Sequence, residues 1–319
     1  MMNCLVQSHF VRKLSFLDSS SHQWVINYLE VLESRHCAEG TLEATIGAFK
    51  RFLLYVPPNR QLLIKSDLAQ TTARDFDCFI ADTQKKGFAA STINNTISIL
   101  KDFFAYLIEN EQMLRQPVNR RRHHLFTPTT LPKPMAEKDL IEFFKVIDSI
   151  RDRLLFLLML RCGLRTTETC SLKWEDIDEL QLTLRVNNGK GEVDRIAYLS
   201  PDVERSLKLW KSRNSKSFYL FPSRKVRSSH ITRKEAYHLM VKYLQLAEIT
   251  RPYSPHCLRH TFATQLLNAG VSLEVLKELM GHRSIQVTLR YTELYDSTKR
   301  QQYETAMQHI EKRQIGVGR

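Results

Sequence analysis

Cysteine pairs in CxxC spacing are absent from this chain. Its six cysteines, Cys4, Cys37, Cys78, Cys162, Cys170 and Cys257, fall at irregular intervals, which argues for reduced, buried thiols of a cytosolic protein and against a disulfide framework. No long apolar run is present either. The greasiest stretch, LLFLLML from Leu154 to Leu160, is far too short to span a bilayer, and the opening MMNCLVQSHFVRKLSF lacks the apolar core of a signal peptide. Neither export nor membrane insertion is expected, and the expected location is cytoplasmic, on the nucleoid. Glycine and proline are scarce, ten each in 319 residues, while hydrophobic residues make up 43%; that balance excludes a disordered chain. Acid is in deficit, with 34 Asp and Glu against 47 Lys and Arg. The excess is shared, with 16 basic against 12 acidic residues over 1–134 and 31 against 22 over 135–319. A polyanion is the partner such a chain favours, and both halves can grip it.

The length accommodates two domains. The first third carries successive amphipathic helical stripes: Trp24, Tyr28 and Leu32; Leu42, Ile46, Phe49 and Leu53; Phe76 and Ile80 beyond Thr72; and Ile93, Ile97, Leu100, Phe104 and Leu107 behind a Ser91 N-cap. These predict a bundle of about four helices. QPVNRRRHHLFTPTTLPKP then packs four prolines around Arg120, Arg121 and Arg122, a pattern that suits an extended basic tether and not a helix. The expected division is a first domain over 1–126, a linker over 127–134 and a second domain over 135–319. Helical patterns resume after Met135. LTLRV and RIAYL flank NNGKGE, whose Asn and Gly accept the positive φ of a tight hairpin with Lys190 at its tip. A capping box spans Thr232 to Glu235. The fold class expected is mainly α in two domains, the second a mixed α/β, mostly helical unit with one small antiparallel sheet.

Chemistry concentrates in two places. In SPHCLRHTFAT, Ser254 and Pro255 open a helix that sets His256, Arg259 and His260 along one face. Gly270 closes it, Ser272 caps the next, and Gly281 ends that one just before His282; Tyr291 follows nine residues later. HxxxH is also the spacing of two zinc ligands, but no Glu follows His256 and no third ligand is evident by spacing. In LRCGLRTTETCSLKWEDID, Arg165 is followed three residues on by Glu168, a carboxylate able to hold and orient a guanidinium.

The motifs GLRTTE…LKWEDID, NNGKGEVDRI, HCLRHTFAT, LMGH and LRYTEL, in that order and spacing, resemble those of the tyrosine recombinases of the integrase and Xer type. The resemblance extends to the helical first third, which is similar to the family's SAM-like core-binding domain, so it covers nearly the whole chain. One departure stands out: family hairpins often carry a second basic residue two positions after GKG, and here Val193 follows GKGE, with Arg195 beyond it.

The resemblance implies a site-specific recombinase that cuts DNA through a 3′-phosphotyrosyl link and exchanges strands through a four-way junction. Arg165 and Arg259 would fork onto the scissile phosphate, His282 would donate to it, Lys190 would protonate the departing 5′-oxygen, and His256 would assist Tyr291 as nucleophile. Glu168 is expected as support and not as a base, His260 as helix packing or a supporting contact, and Cys257 as a buried filler. Tyr295 is the rival nucleophile, but spacing from His282 matches the family at Tyr291. No metal or cofactor is expected. Duplex DNA with specific sites is the expected partner, with Lys50, Arg51, Lys101, Arg120, Arg121 and Arg122 as candidate contacts. A dimer on one site and a tetramer in synapsis are implied, the terminal stripe Tyr303, Met307 and Ile310 docking on a neighbouring protomer or folding back on its own. The alternatives are a type IB topoisomerase with the same chemistry, a catalytically silent DNA-binding accessory protein, and a metal-dependent hydrolase.

Overall fold

A computed structural model describes residues 13–37, 39–128, 133–186, 194–214, 217–223 and 229–281, together with Thr288 and Met307. The chain divides into two compact units, Met1–Thr129 and Thr130–Arg319.

The first unit is helical. The stripes of aliphatic and aromatic residues become α1 (Ser19–Ser34), α2 (Glu39–Tyr55), α4 (Ala73–Lys85) and α5 (Ala90–Glu109), with a fifth helix, α3 (Pro58–Ser66), between α2 and α4. Sequence periodicity passes over α3 because Pro57-Pro58 reads as a breaker. In fact Pro58 occupies the first helical position, where its missing N–H costs nothing. Helix α5 starts from Ala89 without a side-chain cap, not from Ser91. The core is aromatic: Phe52 stacks on Phe76 at 4.6 Å between ring centroids, and Phe49 meets Phe103 edge-on at 4.8 Å.

The basic run after Gln116 departs from the expected tether. Asn119 caps a short turn of helix, α6 (Arg120–His123), accepting from the N–H groups of Arg121 at 2.9 Å and Arg122 at 3.3 Å. His123 is fully buried and stacks on Phe76, so this turn is pinned to the first unit. Beyond it, the Asn94 side-chain amide donates to the Leu125 carbonyl at 2.7 Å and accepts from the Leu125 N–H at 2.9 Å, as a neighbouring strand would. Asn94 also donates to Thr127 Oγ1 at 3.0 Å. The arginine cluster therefore sits on folded structure, because one buried ring and one amide outweigh the local proline signal.

In the second unit, α7 (Glu137–Lys145), α8 (Ile150–Arg161), α9 (Thr166–Ser171), α10 (Pro201–Asn214), α11 (Arg233–Leu246), α12 (His256–Asn268) and α13 (Leu273–Met280) surround a three-stranded antiparallel sheet of order β1 (Ile177–Asp178), β2 (Thr183–Val186), β3 (Arg195–Tyr198). The apolar run Leu154–Leu160 lies in α8. It is buried on every side, as a helix with no polar face must be, and packs against α10 and α12. Met135 donates its N–H to Thr261 Oγ1 at 2.8 Å, fastening the unit's first segment to α12. The segments on either side of NNGKGE pair antiparallel as expected, Val186 opposite Arg195 and Leu184 opposite Ala197. β1, only two residues long, is an addition that no periodicity can reveal. Among the described residues no helix is long and apolar enough to cross a membrane. Cys162, Cys170 and Cys257 are buried free thiols, whereas Cys37 and Cys78 are only partly covered, contrary to the expectation of general burial.

Candidate active site

The site begins at the end of α8. Gly163 takes φ +62° and turns the chain out of the helix, Leu164 plugs the core, and Arg165 becomes the N-cap of α9. A left-handed turn favours glycine, and here space demands it as well. A Cβ at Gly163 would lie 2.5 Å from two ring atoms of Phe262 on α12. Gly163→Ala is expected to lower unfolding free energy by about 2–4 kcal/mol, from backbone strain plus overpacking. A urea melt checks this, and a change below about 0.5 kcal/mol would mean that turn and ring relax freely.

That turn places Glu168 one helical turn after Arg165. Glu168 Oε2 accepts the Arg165 backbone N–H at 2.7 Å and Oε1 accepts Arg165 Nη1 at 2.7 Å. The same carboxylate receives Arg195 from β3, Nη2 to Oε2 at 2.8 Å and Nη1 to Oε1 at 3.1 Å. Arg259 approaches Oε2 at 3.9 Å from α12. Burial pushes the Glu168 carboxyl up, but hydrogen bonds and charge from Arg195, then Arg165, prevail and hold it at about 2. It is ionised throughout the working range and unsuited to be a base.

Arg259 is almost wholly buried, and its guanidinium is held by two carbonyl oxygens: Nη1 donates to Gly163 and Nη2 to Met280 at 2.6 Å. One guanidinium thus bridges the turn after α8 and the end of α13. Gly281 follows Met280 in the left-handed conformation that ends α13, and His282 is the next residue in the chain. His256 stands one turn before Arg259, its ring 4.6 Å from that of His260 and edge-to-face. Desolvation, then the positive charges of Arg259 and Arg165, hold the His256 imidazole below its ordinary value. Burial, with His256 and Arg259 adding to it, pushes His260 down to about 4. Both rings are therefore neutral at neutral pH, chiefly because they are buried, with the neighbouring positive charges adding to the effect.

Arg165, Glu168, His256 and Arg259 are thus gathered from α9 and α12 into one cluster. Lys190, His282, Tyr291 and Tyr295 lie outside the described residues, as do Tyr303 and Ile310. Arg195 is the member that motif spacing missed; the signal available was a lone arginine opening a strand. The candidate DNA contacts are on the first unit. Lys50 and Lys101 are exposed, with the Lys50 ammonium 5.4 Å from the Phe16 ring centroid. Arg51 is half-buried and donates to Thr96 Oγ1 at 2.6 Å. Arg120, Arg121 and Arg122 are all exposed, and Arg122 is forked onto Asp77, Nε to Oδ1 at 2.9 Å.

Comparison with known proteins shows the family. The phage integrase family model matches residues 133–298 and the phage integrase N-terminal SAM-like domain matches residues 25–111. Tyrosine recombinase XerA of Pyrococcus horikoshii is 34% identical over 242 residues, covering 74% of this chain and 80% of its own. Tyrosine recombinase XerC of Bacillus subtilis is 27% identical over 308 residues, 92% of this chain and 93% of its own. Among solved structures, a lambda integrase tetramer bound to a Holliday junction superimposes with a TM-score of 0.68 at 19% identity, covering 85% of this chain and 76% of that one. The Tn1549 transposon integrase in complex with transposon right end DNA gives 0.66 at 20% identity, covering 90% and 99%. With half its length on the integrase model and a relative above 30% identity across most of both chains, this protein belongs to the phage integrase family of tyrosine recombinases, enzymes that cut and rejoin DNA strands in site-specific recombination.

Proposed function

We propose that the cluster around Glu168 is the phosphate-binding half of the strand-cleavage site, and that Tyr291 is its nucleophile. The observation that carries this is three guanidiniums, from α9, β3 and α12, sharing one ionised carboxylate. Such a cluster keeps a net positive charge in a partly buried place, where it acts on a phosphodiester far more strongly than in water. Arg165 and Arg259 neutralise the charge that grows on the non-bridging oxygens as Tyr291 Oη forms its bond to phosphorus. The P–O5′ bond breaks, Lys190 supplies a proton to that oxygen, and His256, neutral before the reaction, takes the phenolic proton. His282 adds a hydrogen bond to the phosphate. The phosphotyrosyl bond conserves the energy of the broken linkage, so a free 5′-hydroxyl reverses each transfer with the same groups.

Duplex DNA is the substrate, and the basic surface of the first unit tracks its backbone. Two protomers on a site and four in synapsis suit the exchange of strands through a junction, the form in which the lambda integrase tetramer is seen. The direct test is a nicked suicide duplex carrying the site that the protein selects from a randomised library, incubated in EDTA. A covalent protein–DNA complex is expected; its absence from wild type would overturn the proposal.

A pH profile tests the role given to His256. Because its folded pKa is depressed, the imidazole stays neutral below the usual ~6.5 of histidine and is protonated only on further acidification. At subsaturating DNA, cleavage is expected to hold level through neutrality and to fall only below that value, a limb that His256→Ala removes. An acid limb unchanged in the variant would assign the base elsewhere.

A further inference from the structure

We propose that Arg195 is a positioning residue for strand cleavage: one guanidinium that joins the root of the Lys190 hairpin to Glu168 and to the end of α13, and thereby sets the orientation of Arg165. This inference rests on the reading of the Glu168 cluster as the cleavage site.

Arg195 opens β3 and is buried on the inner face of the sheet, opposite Val186. Its three nitrogens are all engaged. Nη1 and Nη2 fork onto the two oxygens of Glu168, and Nε donates to the Leu279 carbonyl in the last turn of α13 at 3.0 Å. The neighbouring carbonyl, that of Met280, holds Arg259, so two arginines from different elements grip consecutive residues of one helix end. The next residue is built around the contact. At Gly281, φ +63°, a Cβ would stand 3.0 Å from both Cδ and Nη1 of Arg195. The start of β3, the Glu168 carboxylate of α9 and the end of α13 thus meet on a single side chain.

The chemistry explains why arginine occupies this position. Glu168 has two oxygens and four donors, two from Arg165 and two from Arg195. Remove Arg195, and half of the carboxylate's partners go, together with the charge that offsets its burial. Glu168 then keeps only its two bonds to Arg165 and loses the brace that fixes its carboxylate from the β3 side, so the plane that orients the Arg165 guanidinium is held less tightly. Lysine has one nitrogen and cannot span a carboxylate and a carbonyl in a fixed plane.

The test uses the full chain and the selected suicide duplex in single-turnover cleavage, with gel shift on an intact single site and thermal melting beside it. Arg195→Gln is expected to slow cleavage about 10²-fold, the cost of a misplaced reacting group, while single-site affinity stays within about threefold. Its residual rate should also fall more steeply on acidification than that of wild type, because Glu168 has lost its offsetting charge. Glu168→Gln should match it, and the double variant should be no slower than the worse single, as residues acting through one another require. If Arg195→Gln does not fold, Arg195→Lys decides, with a loss of tenfold or more expected in a chain that melts as wild type. Cleavage within threefold of wild type in the folded variant, or losses that multiply in the double, would overturn the inference. A wild-type chain that forms no covalent complex would remove the cleavage-site reading and this inference together.

Discussion

Tyr291→Phe is expected to reduce covalent complex formation to background while leaving gel-shift affinity for the single site unchanged. The substitution deletes one oxygen and keeps the ring, so any contribution of the aromatic body to packing or DNA contact survives. What disappears is the only atom of that side chain able to bond phosphorus. Tyr295→Phe is the internal control, four residues on in YTELY, and should cleave at close to the wild-type rate. The pair of results is diagnostic. Cleavage lost at 295 and kept at 291 would reverse the assignment, and cleavage kept in both would mean that neither phenol is the nucleophile.

The second large effect belongs to Arg259. Arg259→Lys retains the charge and still is expected to slow cleavage by about 10²–10³-fold, the scale for losing one preorganised donor at a developing oxyanion. The reason lies in the two carbonyls. A guanidinium reaches Gly163 on one side and Met280 on the other; an ammonium can satisfy one and leaves the other acceptor buried without its donor, at about 1–3 kcal/mol. The variant should therefore also melt earlier, by several degrees. Slow cleavage with an unchanged melting temperature would indicate that the carbonyl grips are dispensable and the planar fork matters only for the phosphate. Wild-type cleavage in the lysine variant would reduce Arg259 to a point charge.

Much of this was legible in the chain because the signals are local. Asn-Gly and Gly-Lys-Gly between two β-branched or apolar runs announce a hairpin. Thr232 and Glu235 form the box that their spacing predicts. Arg165 and Glu168 lie one helical turn apart and so can be paired by eye. Arg195 shows where such reading stops. By hydrophobicity alone, RIAYL should turn Ile196 and Tyr198 inward, yet both are exposed while Arg195 and Ala197 face the interior. The inversion is driven by Glu168, 27 residues earlier in sequence, and no periodicity encodes a buried ion pair over that separation. The turn at Arg120–His123 escaped for the same reason. Its anchor, Phe76, belongs to a different helix, and prolines on either side dominate the local pattern.

The crowding of Glu168 has a bearing on how solution conditions reach the reaction. Four donors already saturate its two oxygens, so a magnesium or potassium ion must first evict an arginine to coordinate there. Buffer cations are then expected to modulate turnover through their atmosphere around the double helix, weakening association as salt rises, and not by ligation at this carboxylate.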